Sequence, residues 1–515
     1  MKKALLSIVF TSLLYSSNAQ TFEWAKNLPS LSDFPGSLSI KSAAEEGSAV
    51  YGVYNSNASS TAIGTFLYRV NAAGDLNWID TITLRHPQYG GISCAGMEIL
   101  HSGSVITGGN YSDTIYTQDS MIVKRGASDS YLAMYNNSGN IQWMRTIANT
   151  HVSDICKDAS ENLYVLLDFS GNISFLGQNF SSAGTSDMLV AKIDTLGNLL
   201  YTRQIHGNIN SRKVRVSPAG NVCAFGAFSD TLYYDTLHVS PGIYEVVFGC
   251  LRLSPAGDLI AYSYLENYST AGGPAVFFTD AEINYQERIA SSTGFTWTWG
   301  TAADINFTGA NGAIEHGSQF EADYGGSYTI GGMVQADTTG IWIFGQKTEG
   351  PPYSNMLELF KIDYNGNISD SSTFDLSMNN SSTKDIGADQ NGDLYITGVY
   401  SDSVRFGAHT LHAAGPQAIF IAKIGSAQST GFTSPAPSTE VSVYPNPSAG
   451  IFTVQFKDSK NKATVYVRNL LGEAICFQTI VSGFTSIDLS SQPKGIYFIE
   501  VSEGNDRKVK KIILQ

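Results

Sequence analysis

The chain is 515 residues long, which sets an expectation of roughly two to four domains. Charged residues make up 15% of it, against ~25% in an average soluble domain, while 50 glycines, 27 tyrosines and 26 phenylalanines favour short strands joined by tight turns. A hydrophobic content of 43% speaks against bulk disorder, and the glycines have no three-residue period, which excludes collagen.

Met1–Gln20 reads as a secretory signal. Lys2 and Lys3 form a basic start, Ala4–Tyr15 is apolar apart from a few Ser and Thr, and Ser17-Asn18-Ala19 supplies small residues before a cut between Ala19 and Gln20. No cysteine follows the cut, so no lipoprotein anchor is expected, and no later 18-residue apolar run predicts a transmembrane segment in the mature protein. Net charge is −14, and residues 1–19 and 440–515 each carry +2, leaving −18 on the body between them. An acidic body without a Lys/Arg stripe repels a phosphate backbone and anionic lipid alike, so nucleic acid is not an expected partner. Export permits disulfides among Cys94, Cys156, Cys223, Cys250 and Cys476. Their number is odd and their offsets irregular. Cys223 and Cys250 either meet on neighbouring strands or belong to an unpaired buried set.

Internal repetition dominates residues 20–424. One unit is an apolar strand, a Gly-containing turn and a second strand that often holds an aromatic. It runs Phe66–Trp78 through Gly74, then Tyr131–Trp143 through Gly139, and returns around Gly197, Gly257 and Gly366. Each Gly precedes Asn or Asp, as suits a hairpin that needs positive φ. The glycines lie 65, 58, 60 and 109 residues apart, so one copy has diverged within the last gap. A second unit lies between these hairpins. It reads Gly103–Thr114, Gly220–Thr231 and Gly392–Ser403, with weaker copies near Gly47, Asn162 and Gly326. Together they supply about four short strands per ~55–60 residues, the size of a propeller blade.

The ends of this array complement each other. Phe420-Ile-Ala-Lys423-Ile424 matches the first strand of the hairpin, with nothing after it. Phe22-Glu-Trp24-Ala-Lys-Asn-Leu28 matches the second strand, with nothing before it. A ring that closes by pairing its last strand with its first requires such a split hairpin, because otherwise two edges stay unpaired. At ~58 residues each, the span from Phe22 to Ile424 holds about seven blades, with six and eight the neighbouring counts. The repeats resemble the loosely conserved β-propeller repeats of secreted bacterial proteins.

Candidate chemistry is sparse. There is no Gly-x-Ser-x-Gly, no His-Glu-x-x-His and no Cys-x-x-Cys, so neither a serine nucleophile, a metal site nor a cofactor is expected. His409 and His412, three apart on a predicted strand, should face opposite sides. Asp113, Asp230 and Asp402 share one repeat position, and Asp194 and Asp363 another. Each stands alone rather than in a calcium loop, so turn stabilisation through the backbone two residues on is the expected role. Asp-Thr-Leu and Asp-Thr-Ile at Asp113, Asp194, Asp230 and Asp235 also resemble O-glycosylation sites of Bacteroidetes. Residues 295–324 depart from the repeat and collect Trp297, Trp299, Glu315, His316, Gln319, Glu321 and Asp323. Aromatics beside acids and amides suit a sugar-binding or hydrolytic pocket, while a diverged blade with Trp297 and Trp299 in its core accounts for the same residues. A glycosidase pair of carboxylates would need to lie ~5–9.5 Å apart.

Residues 425–439 are rich in Ser, Thr, Pro, Gly and Ala and carry no charge, as a linker does. Beyond them, strands are predicted at Val441–Tyr444, Gly450–Phe456, Ala463–Asn469, Gly495–Val501 and Lys508–Leu514, a small β-sandwich over 440–515. Tyr444-Pro445-Asn446-Pro447, Gly450-x-Phe452, Val467-x-Asn469-x-x-Gly472, Gly495-x-Tyr497 and Lys510-Lys511-Ile512 resemble the C-terminal sorting domain of the type IX secretion system. That resemblance implies the type IX machinery as partner, passage through the periplasm and outer membrane, and a product secreted or held at the cell surface. The expected protein is therefore all-β, a propeller followed by a sandwich. Its expected role is non-enzymatic binding of a glycan or protein, with a secreted carbohydrate-active enzyme or a structural surface protein as the competing readings.

Overall fold

A computed structural model describes residues 21–425 and 441–515, apart from 30, 32–34, 44–46, 56–61, 270–274, 284–286, 298–299, 310, 322–326, 336–339, 349–354, 364, 366, 376–380, 390, 445, 447, 449, 457–462, 470–473, 481–483 and 504–505. The signal residues Ala19 and Gln20, the candidate ligands Trp299 and Asp323, and the motif residues Pro445, Pro447 and Gly472 lie outside the described set. The chain divides into two compact units, 1–428 and 429–515.

The first unit is a seven-bladed β-propeller built from four-stranded antiparallel sheets. Blade 1 runs Pro35–Ala43, Gly47–Asn55, Ala62–Val70 and Leu76–Leu84, and blade 2 runs Ile92–Ile99, Val105–Tyr111, Asp129–Tyr135 and Ile141–Ala148. Blade 3 (Thr150–Lys157, Leu163–Phe169, Asp187–Ile193, Leu199–Ile205) and blade 4 (Ile209–Val216, Val222–Phe228, Glu245–Leu253, Leu259–Ser269) repeat the pattern. Blade 5 spans Ala275–Glu321 and blade 6 Ser327–Asp375. Blade 7 takes Ser382–Ala388, Leu394–Tyr400 and Ala418–Ile424, and its fourth strand is Phe22–Leu28 from the chain start. Trp24 pairs with Lys423 and Lys26 with Ile421, so the split hairpin read in the sequence closes the ring.

Hydrophobic burial follows the ring. Seven apolar clusters each span two adjacent blades, from Tyr51 and Leu67 against Ile92 and Tyr131 round to Leu28 and Ile421 against Val50 and Phe66. The second and third strands of a blade are therefore covered on both faces. Val105–Tyr111 and Asp129–Tyr135 are buried at every position, as strands sandwiched between neighbouring sheets must be. Among the described residues Cys94, Cys156, Cys223 and Cys250 are free. Cys223 and Cys250 do occupy neighbouring strands, two residues out of register on a diagonal, with their thiols hydrogen-bonded to each other.

The recurring aromatic of each outer strand has a specific partner. Gly74, Gly139 and Gly197 occupy the hairpin turns of blades 1, 2 and 3 with φ of +81°, +83° and +80°. The ring of the preceding blade's tryptophan (Trp24, Trp78 and Trp143 in turn) lies where a Cβ on each glycine would point. Trp78 Nε1 donates to the Asn137 carbonyl at 2.9 Å, and Trp143 Nε1 donates to the Thr195 carbonyl at 2.9 Å. Arg203 takes the tryptophan's place beside Gly257 in blade 4, its Nε donating to the Gly257 carbonyl at 3.3 Å. The outer strands of blades 7, 1, 2 and 3 are thus each pinned to the next blade by one flat side chain laid on a residue without a Cβ.

Small hairpins between the second and third strands form a second set of clasps. They are Ile115–Tyr116 with Met121–Ile122, Asn172–Phe175 with Gln178–Ser181, Leu232–Tyr234 with Leu237–Val239, and Ser403–Phe406 with His409–His412. The first pairs with the outer strand of blade 1 through Thr83 and Leu84, extending that sheet. The last holds His409 half-buried and His412 exposed, on opposite faces as strand periodicity requires.

The second unit is a two-sheet sandwich. One sheet orders Val441–Tyr444, Ile451–Phe456 and Phe484–Asp488; the other orders Ala474–Ile480, Ala463–Arg468, Gly495–Glu503 and Asp506–Leu514. Phe452, Val454, Val465, Val467, Tyr497, Ile499 and Ile512 fill its core. Two of its strands, Ala474–Ile480 and Phe484–Asp488, were not among those expected from the sequence. Both are short apolar runs, Ala-Ile-Cys-Phe-Gln-Thr-Ile and Phe-Thr-Ser-Ile-Asp, whose periodicity alone does not set them apart from other buried segments.

Candidate functional site

The innermost strands of the seven blades line a central channel, and each contains a β-bulge. The register shifts fall between Pro35/Leu38, Cys94/Met97, Val152/Asp154, Ser211/Lys213, Phe278/Asp280, Ile330/Gly332 and Thr383/Asp385. A bulge adds a residue and re-aims the side chains beside it. In alternate blades 3, 5 and 7 the re-aimed residue is an aspartate. Asp154 accepts from the Val214 amide at 3.0 Å, Asp280 from the Met333 amide at 2.9 Å and Asp385 from the Ile40 amide at 2.9 Å. Every one of these bonds crosses to the next blade.

Arg215 on blade 4 completes the lattice. Its guanidinium reaches Asp154 at 2.7 Å, Asp280 at 3.2 Å and Glu282 at 3.5 Å, joining blades 3, 4 and 5. Lys213 Nζ lies 3.6 Å from Asp280, and Lys41 Nζ lies 2.9 Å from Glu98. Burial alone would raise the Asp280 carboxyl, but Lys213, Arg215 and two backbone amides hold it below its usual range. Burial prevails at Glu282 and Asp385, whose carboxyls lie above theirs. These groups surround a cavity of about 450 Å³ at the end of the channel where the innermost strands finish. Among the described residues no group of three or more His, Cys, Asp or Glu side chains is placed to hold a metal ion.

A second cavity, of about 540 Å³, opens at the other end of these strands, between blades 3 and 4. His151 and Asp168 face each other across the first two strands of blade 3, and Asn208, Asn210 and Arg212 come from the start of blade 4. Asp168 accepts from the Ser211 amide at 2.9 Å and from the Ser211 hydroxyl, tying blade 3 to blade 4. Burial raises its carboxyl to about 6 against these bonds and the nearby Arg212 charge. The His151 imidazole is lowered by burial and by Arg212. Asn110 occupies the matching place in blade 2, its Oδ1 accepting from the Val152 amide at 2.7 Å.

The residues singled out in the sequence fall elsewhere. Trp297 ends the second strand of blade 5, and Glu315, His316, Gln319 and Glu321 lie on its outermost strand, Ile314–Glu321, far from the channel-lining strand in sheet order. Glu315 pairs with Arg288 at 2.8 Å. Six residues of extended strand separate it from Glu321, about 20 Å, so the fold does not bring these two acids together. Asp194 and Asp363 play the expected turn role: each accepts from the amides two and four residues on, at 2.8–2.9 Å. Asp113 differs, accepting from the His86 amide at 2.8 Å and lying 3.1 Å from its ring. Of the threonines in the Asp-Thr motifs, Thr114 is buried and Thr236 is exposed at a hairpin tip. The bulge aspartates escaped sequence reading because the strands that carry them, THVSDICK, AVFFTDAEI and STKDIGA, share no pattern around the acid from blade to blade.

The first unit defines a seven-bladed propeller of antiparallel sheets. Residues 442–515 match the family described as the secretion system C-terminal sorting domain, the type IX tail that directs export to the cell surface or secretion. Tyr444 ends the first strand of that domain, Asn446 and Gly450 lie between it and the strand Ile451–Phe456, Gly495 opens the strand Gly495–Glu503, and Lys510 and Lys511 sit on the final strand. No curated protein sequence matches the chain. Among solved structures, a protein of unknown function from Bacteroides caccae is similar at 11% identity, covering 60% of this chain and 90% of its own, with a TM-score of 0.31. Polysaccharide lyase Uly1 is similar at 9% identity over 75% of this chain and 89% of its own, TM-score 0.41. The S. cerevisiae core factor follows at 8% identity over 78% and 59%, TM-score 0.33. None of these three likenesses carries an argument about function.

Proposed function

We propose that this exported propeller is a non-enzymatic binding module for a glycan or protein ligand at the bacterial surface or outside the cell. The supporting observation is the state of the channel acids. Asp154, Asp280 and Asp385 are each engaged by a backbone amide of the next blade, and Asp154, Asp280 and Glu282 share Arg215. Asp280, whose carboxyl Lys213, Arg215 and two backbone amides hold below its usual range, is a poor proton shuttle and a good rivet, because its charge is already balanced. The ring thereby becomes a rigid frame, and its loops are free to vary for recognition. The test incubates the purified mature chain with glycans and with surface-protein extracts, measuring retention and product release separately. Retention without product is expected. Release of reducing ends or unsaturated sugars, abolished by Glu315→Gln or Glu321→Gln, would establish the enzymatic reading instead.

A further inference from the structure

The cavity between blades 3 and 4 holds polar groups that the fold does not use. Among the described residues neither the Asn210 amide nor the Arg212 guanidinium has a hydrogen-bond partner, and both are exposed beside the half-buried Asp168 carboxyl. Asn208 spends one amide proton on Ser229 at 2.9 Å and keeps its other groups toward the opening. Ile209, Ala227 and Val246 provide apolar wall. The strand that carries Val246 is preceded by an unusual turn. Gly242 donates its amide to Glu245 Oε2 at 2.9 Å, and Glu245 returns a bond to the Gly242 carbonyl at 3.1 Å. This clamp presents Ile243 and Tyr244 outward, 87% and 67% exposed, with Tyr244 at φ +66°. Holding a tyrosine in the left-handed region costs about 1–2 kcal/mol, and such strain is found where a surface has a task.

From this juxtaposition we infer that the cavity is a saccharide-binding site, which rests on the binding-module reading and gives it a place and a ligand class. A sugar's vicinal hydroxyls each donate and accept. A guanidinium and an amide beside a carboxyl match that pattern, and the exposed Tyr244, two residues before Val246 of the cavity wall, offers an aromatic face for the apolar C–H face of the ring. About 540 Å³ falls within the ~300–1,000 Å³ range of small-molecule sites. The ligand class is uncharged, because the body around the site carries a large excess of negative charge.

The test places the mature full-length chain on an array of neutral, uronate-bearing and sulfated oligosaccharides, then measures affinity for each retained sugar by calorimetry. Asn210→Ala removes an exposed side chain that makes no hydrogen bond, so melting temperature should stay unchanged while affinity falls at least ~10-fold; Arg212→Ala should weaken binding as much, with its melting temperature moving only through the lost charge beside Asp168 and His151. Tyr244→Gly relieves the backbone strain and should weaken binding while leaving or raising the melting temperature. A retained neutral sugar that loses affinity in these variants supports the inference. Undiminished affinity in Arg212→Ala and Asn210→Ala overturns the site while leaving the binding module standing. Retention confined to polyanionic glycans, or of no saccharide, overturns the ligand class. Product release by the wild-type chain overturns the binding-module reading itself, and the variants' affinities still judge the cavity.

Discussion

Replacing Gly139 by alanine tests how the blades are fastened. Gly139 has φ +83°, and a Cβ there would lie 2.8 Å from Trp78 Cδ2 and 3.0 Å from Cε3. The backbone term for an L-residue in this conformation is about 1–2 kcal/mol. The methyl group would also push the indole outward, and the Trp78 Nε1 bond to the Asn137 carbonyl would be lost for a further ~0.5–1.5 kcal/mol. With the loss of stacking, the total reaches about 2–4 kcal/mol. Where Trp78 is already alanine, only the backbone term remains, so Gly139→Ala should then cost about 1–2 kcal/mol. The assay is a double-mutant cycle on the mature chain, by urea unfolding followed by circular dichroism, and a coupling of ~1–2 kcal/mol is expected. Equal cost for Gly139→Ala with and without Trp78 would refute the interlocking of ring and turn.

Three other outcomes follow from the geometry. Asp168 has a folded-state carboxyl at about 6 against an ordinary ~3.9, so its protonation favours the fold, and stability from this group is full below about pH 4 and lost as pH rises to 6. Asp168→Asn, which copies Asn110 of blade 2, should flatten that slope and leave the chain more stable at pH 7 by up to ~2 kcal/mol in urea titrations; an unchanged slope would locate the pH dependence elsewhere. Arg215→Ala strands Asp154, Asp280 and Glu282 without their shared cation and should destabilise the propeller by ~3–5 kcal/mol at pH 7. Because the Asp280 carboxyl is held low, its stabilising share is present above about pH 4 and disappears as pH falls, so the cost of Arg215→Ala should shrink in acid. Deleting residues 20–28 leaves Ala418–Ile424 as an open sheet edge, and size-exclusion chromatography should show dimers or aggregates in place of a monomer.

The candidate sites divide by what each one needs. Asp194 and Asp363 were legible as turn residues because their partners lie two and four positions on, within reach of any local pattern. Trp78 and Trp143 were legible as a recurring aromatic, but their partners, Gly139 and Gly197, sit about 60 residues away on another blade. The lattice around Arg215 draws acids from residues 154, 280 and 282, and no short-range periodicity links them. Glu315 and Glu321 were legible as acids of the irregular blade, but their separation was not; an extended strand places them far apart.

The sequence by itself determined the address and the ring. The sorting tail is a run of local motifs, and closure was written in two half-hairpins whose strand patterns match, since a strand's period of two survives wherever its partner lies. Tertiary structure alone decided where the charges meet and which polar groups stay unspent. Bulges in seven innermost strands turn Asp154, Asp280 and Asp385 toward the next blade, and the junction of blades 3 and 4 leaves Asn210 and Arg212 open to the outside. Both follow from packing sheets face to face around an axis, which brings together residues that the chain keeps 43 to 345 positions apart.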